Sequence, residues 1–100
     1  IDTNFSLGDF KYFPYQRIII KSEKKSLLSD IQNIIITALL LSNDGIGKEA
    51  LYKLIWKKDK SIFINKLDTH LTNLKKKLKK DIDMNINFQS QSKSLRLVIN

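Results

Sequence analysis

The hydrophobic pattern of this chain changes period at Ser29. Before it, Phe5, Leu7, Phe10, Tyr12, Phe13 and Tyr15 are spaced by Gly8-Asp9 and Pro14 and followed by Arg17-Ile18-Ile19-Ile20. Aromatic and β-branched residues between turn formers predict short strands. Lys21-Ser22-Glu23-Lys24 reads as a polar turn and Lys25-Ser26-Leu27-Leu28 as a returning strand. Residues 1–28 are therefore expected to form an antiparallel meander of three or four strands.

From Ser29 the spacing is helical. Ser29 or Asp30 suits an N-cap, and Ile31, Ile34, Ile35, Ala38 and Leu39 then define one apolar face. Asn43-Asp44-Gly45-Ile46-Gly47 stops this helix, with Gly45 suited to a left-handed cap. A second helix is expected over about Lys48 to Lys57, with Leu51, Leu54 and Ile55 inward and Trp56 at its end. Residues 58–63 connect it to a third helix, about Ile64 to Lys80. There Leu67, Leu71, Leu74 and Leu78 form a narrow stripe at 100° per residue. Asn85 to Phe88 and Leu95 to Ile99 read as two strands joined by polar residues 89–94. The expected architecture is α+β: one domain over 1–100, with a meander at 1–28, three helices within 29–80 and a terminal hairpin at 85–99.

Charge sharpens this picture. The chain of 100 residues has 18 Lys+Arg against 10 Asp+Glu, a formal net charge of +8. Such an excess favours polyanionic partners, nucleic acid first and an anionic membrane surface second. Lysine-rich codon bias is the plain alternative, yet it would spread the lysines evenly. Residues 1–41 are net +1 and residues 42–83 net +5, while residues 84–100 hold two basic groups and no acidic one.

The residue inventory offers little for catalysis. The absence of cysteine excludes disulfides and thiolate metal sites. His70 is the single histidine, the two glutamates are Glu23 and Glu49, and no triad or metal cluster is visible. The expectation is no enzyme, no cofactor and no metal. The longest largely apolar stretch, Ile34 to Leu41, suits a core helix and is too short for a membrane span. A chain that opens on Ile1 rather than Met is expected to be a piece of something longer.

Opposite the leucine stripe lie Asn65, Thr69, Thr72, Asn73, Lys76, Lys79 and Lys80, with Lys75 and Lys77 on its flanks. Asn can pair bidentately with adenine, Thr can pack on a thymine methyl, and Lys neutralises phosphate. On the residues alone, a groove-reading face and an ordinary solvated face both stay open.

From Leu28 onward the chain resembles the OmpR/PhoB-type winged-helix effector domain of bacterial response regulators. The family's helix start, Leu-Thr, is similar to Leu28-Ser29. Its Gly turn, Arg-Glu-x-Leu and closing Val-Trp resemble Gly45, Lys48-Glu49-Ala50-Leu51 and Ile55-Trp56. Its recognition-helix signature, Val-Asp-x-His-Ile-x-x-Leu-Arg-x-Lys-Leu, is similar to residues 67–78, from Leu67-Asp68-Thr69-His70 to Lys77-Leu78. The resemblance implies a winged helix-turn-helix that binds duplex DNA as a cytoplasmic, nucleoid-associated transcription regulator in a two-component system. Helix 64–80 would enter the major groove and hairpin 89–94 lie near the minor groove.

The departures lie at the contacts. Asn65 stands where the family has Arg, Thr72 and Asn73 replace paired basic groups, and the wing has Gln91 for Arg and lacks the family's glycines and tyrosine. The contact residues expected are Trp56, Asn65, Thr69, His70, Thr72, Asn73, Lys75, Lys76, Lys79 and Lys80, with Gln91, Lys93 and Arg96 on the wing. Trp56 would reach a phosphate through its indole N–H, and His70 would pack or touch phosphate. RNA polymerase is an expected partner through loop 57–63, as is a second copy of the chain on the DNA; no membrane is expected. The rival reading is a protein-interaction module that docks RNA polymerase or an acidic partner.

Overall fold

A computed structural model describes residues 4–100; residues 1–3 of the expected meander lie outside the described residues. Four antiparallel strands open the chain in the order β1-β2-β3-β4: β1 Phe5–Leu7, β2 Phe10–Phe13, β3 Ile18–Lys21 and β4 Lys24–Leu27. Phe5, Tyr12, Ile19 and Ser26 are cross-strand partners in one row. The last three are fully buried, so this row marks the inner face of the sheet. The hydroxyl of Tyr12 engages Asn33 and Thr37 on the first helix, which supplies the polar partner that a buried phenol needs. Burial pushes that phenol above its ordinary pKa.

Helix α1 (Asp30–Leu41) starts in a full capping box: Ser29 accepts from the Gln32 backbone N–H, and the Gln32 side chain accepts from the Ser29 N–H. Its buried residues are Ile35, Ile36 and Leu39. Ile34, expected on the inner face, is exposed. The burying face is turned toward Ile36 because helices and sheet cover α1 from that side. Ile34 and Leu41 are left on an open groove shared with Tyr15 and Leu54.

Gly45 does not cap α1; Ser42 does, three residues earlier. Gly45 instead has φ +93°, and a Cβ there would lie 3.0 Å from the Leu95 carbonyl oxygen and 3.2 Å from the Ser94 Cβ. A residue without a side chain thus lets the loop press onto the last strand. The next two residues form β5 (Ile46–Gly47), a strand absent from the sequence reading.

Helix α2 (Lys48–Ile55) buries Leu51 and Tyr52, whereas Leu54, expected inward, is exposed. At 100° per residue Leu54 falls about 110° from the Leu51–Ile55–Tyr52 face. The helix ends at Ile55, two residues earlier than expected, when the Trp56 N–H donates to the Tyr52 carbonyl.

Helix α3 (Ile64–Ile82) buries Leu67, Leu71, Leu74, Leu78 and Ile82, the expected stripe extended by one turn. It runs past Lys80 and closes on a left-handed cap residue. The Met84 N–H donates to the Leu78 carbonyl and the Asp83 N–H to that of Lys79, with Asp83 left-handed at φ +53°.

Strands β6 (Ile86–Gln91) and β7 (Ser94–Ile99) pair along their whole length, and β7 also pairs with β5. The polar residues 89–94, expected as a connector, are mostly strand. Backbone pairing does not require apolar side chains, and residues 89–93 face solvent. Only Ser92 and Lys93 turn, at φ +51° and +67°, the geometry of a tight two-residue hairpin. The core lies between the two sheets and the three helices, with α3 packed on both β4 and β6.

Candidate nucleic-acid interface

Because the leucine stripe is buried, the opposite side of α3 must be outside, and Asn65, Thr69, Thr72, Asn73, Lys76, Lys79 and Lys80 are all exposed. Asn65, Thr69, Thr72 and Asn73 line one shallow depression together with Asp68. The Thr69 hydroxyl donates to the Asn65 carbonyl at 2.9 Å, a bond internal to the helix. Asp68 receives Lys48 from the start of α2, Nζ to Oδ1 at 3.0 Å.

The lysines divide by partner. Lys79 pairs with Asp83, and Lys77 pairs with Asp81 at 3.0 Å. Lys75 donates to the neutral Asn87 side chain at 2.9 Å, which steers its ammonium toward β6 without cancelling its charge. Lys76 and Lys80 form no ion pair among the described residues, so their charge faces solvent whole. Lys75, Lys76 and Lys79 border a second depression with Met84, Asn85 and Ile86.

Trp56 and His70 are half-buried, away from the depression lined by Asn65 and Asn73. Tyr52, Trp56 and His70 stack in sequence, with ring centroids 4.7 and 5.4 Å apart. The Lys66 ammonium sits 4.3 Å from the Trp56 centroid. Asp59 accepts from the Tyr52 hydroxyl and from Lys66 at 3.2 Å, and these bonds hold its carboxyl below the ordinary value. Loop 57–63 is thereby anchored at its middle, while Lys57, Lys58 and Lys60 stay exposed.

On the hairpin, Gln91 and Lys93 are exposed, and Lys93 shares a depression with Gly47, Lys48, Glu49 and Ile64 at the starts of α2 and α3. The turn therefore stands beside the first turn of α3. Arg96 is drawn away from it, toward Asp44 at 3.9 Å. Sequence reasoning missed Asp68, Lys48 and Asn87, which set the charge and aim of the α3 face. An acidic residue within a basic helix was the visible signal for the first of these.

No protein-family model matches the chain, and no curated protein matches it by sequence. Solved structures do. The C-terminal domain of the nisin resistance regulator NsrR, described as a lantibiotic response regulator, superposes with TM-score 0.70 at 24% identity, over 95% of this chain and 96% of that one. The DNA-binding domain of CadC from E. coli superposes with TM-score 0.75 at 14% identity, over 100% of this chain and 96% of that one. The fold is the winged helix of these two domains. In winged-helix terms, α2 and α3 are the helix-turn-helix pair and the β6–β7 hairpin is the wing.

Among the described residues, no group of three His, Cys, Asp or Glu could hold a metal ion. No described helix of the winged helix is long and apolar enough to cross a membrane.

Proposed function

We propose that residues 1–100 act as one DNA-binding domain of a transcription regulator, with α3 in the major groove of duplex DNA and the Ser92-Lys93 turn toward the minor groove. The observation that carries this reading is the outer face of α3. It presents four groove-compatible side chains in one depression, and two lysines without acidic partners follow them on the same helix. The N-terminal part of a recognition helix meets base edges, and its later basic residues neutralise phosphate. On this reading Asn65, Thr69, Thr72 and Asn73 read bases, while Lys75, Lys76, Lys79, Lys80 and Lys93 contact phosphate. Trp56, His70, Gln91 and Arg96 support from the periphery.

The likeness of this chain to the C-terminal domain of NsrR, described as a lantibiotic response regulator, supports an effector role in the cytoplasm, on the nucleoid, with two copies on adjacent half-sites. The exposed lysines of the anchored loop 57–63 favour RNA polymerase as the protein partner in that role.

Binding to a duplex should weaken linearly in log affinity against log salt. Four to six phosphate contacts give a slope of roughly −4 to −5. A flat titration between low and moderate salt would contradict the proposal and leave the protein-docking alternative standing.

A further inference from the structure

We infer that the outer face of α3 selects A·T base pairs over G·C pairs. This inference rests on the DNA-binding reading and goes beyond it by naming the base class.

In the major groove, guanine is read chiefly by arginine, adenine by the amide of Asn or Gln, thymine by methyl contact and cytosine by a carboxylate. Neither arginine stands on this face: Arg17 is bound to Asp30 at the start of α1 and Arg96 is drawn to Asp44. The one carboxylate in the depression, Asp68, is paired through Oδ1 with Lys48 at 3.0 Å, which offsets its charge and weakens it as an acceptor for a cytosine amino group. Thr69 has spent its hydroxyl proton on the Asn65 carbonyl, so its methyl is what it offers outward. What remains is two amides, Asn65 and Asn73, with Thr69 and Thr72 between them. Lys66, the one lysine in the first half of α3, is drawn to Asp59 and over the Trp56 ring, and the other lysines stand later on the helix, in the phosphate-contacting half.

The spacing adds a second constraint. Asn65 and Asn73 are eight residues apart on α3, about 12 Å along the axis. At about 3.4 Å per base step that span covers three to four base pairs. Two adenine-specified positions are therefore expected, three to four pairs apart, with thymine methyls contacted between them.

The test is selection of randomised duplexes with the full chain at moderate salt, followed by affinity measurements on base analogues. Each of the two positions should favour adenine by roughly 5- to 150-fold. Replacing the intervening thymines by uracil, which removes only the major-groove methyl, should weaken binding by roughly four-fold per contacted methyl. Asn73→Arg should convert one adenine position to guanine. Lys48→Ala, which releases Asp68, should admit cytosine at a neighbouring position; unchanged melting of both variants verifies folding. Sites rich in G·C at these positions overturn the inference, and so does salt-sensitive binding with no base preference or with indifference to uracil. Loss of salt-sensitive duplex binding altogether overturns the DNA-binding reading along with it.

Discussion

Leu71 and Lys76 are five residues apart on α3 and have opposite surroundings. Leu71 is 6% exposed at the centre of the stripe, and Lys76 faces solvent without an acidic partner among the described residues. Leu71→Ala should cost about 2–5 kcal/mol of stability, because the lost side chain leaves a cavity among well-packed neighbours. Lys76→Ala should leave the melting temperature nearly unchanged while weakening all duplexes to a similar extent. Equal losses of stability would mean that the orientation of α3 is wrong.

Charge at single residues also sets an acid limit. Asp81 is held below its ordinary carboxylate value of 3.8 first by the hydrogen bond from buried Ser26 and then by Lys77; Asp83 is lowered by Lys79 and Asp59 by Tyr52 and Lys66. A folded-state pKa below the unfolded one stabilises fully above the unfolded value and is lost as pH falls through the folded one. Melting temperature should therefore be flat from about pH 7 to 5 and fall below about pH 4. Ser26→Ala should make that fall shallower, and a profile with its decline near neutrality would contradict these assignments.

At the scale of elements, legibility followed how strongly side chains alone dictate structure. The α3 stripe was plain because four leucines at helical spacing admit one burial solution. The helix start at Ser29 or Asp30 and the meander were plain for similar reasons. Ile34 and Leu54 were misplaced because both short helices carry more apolar residues than one face holds, so tertiary neighbours choose the inner face. The β5 strand has two residues and no pattern of its own. The ends of α3 and of the wing strands were missed because Asp83, Ser92 and Lys93 adopt left-handed backbone where glycine is the usual marker. On the site side, exposure of the α3 face followed directly from the stripe, whereas the Lys48–Asp68 pair joins two helices and has no local signature.

The wing turn gives a test that separates fold from contact. Lys93 holds φ +67°, which an L side chain disfavours. Lys93→Gly should stabilise the hairpin by up to about 1 kcal/mol in thermal or denaturant melts. It should also weaken duplex binding and reduce the salt slope by about 1. Gain of stability with unaltered DNA binding would remove the turn from the interface.

Over the whole molecule, charge and shape point the same way. The meander half is nearly neutral, whereas residues 42–83 carry net +5, and the wing turn adds Lys93 beside the first turn of α3. A one-sided positive surface steers a polyanion toward that side before any specific contact forms. The hydrophobic core holds α3 along its length between β4 and β6, so the outer face is presented on a rigid element. The most direct measurement of this account is a chemical-shift titration of the labelled chain with duplex DNA. Backbone amides of residues 64–80 and 91–94 should shift together and in proportion, while those of β1 to β3 and the outer face of α1 stay in place. Shifts confined to the meander or to loop 57–63, with α3 unmoved, would contradict it.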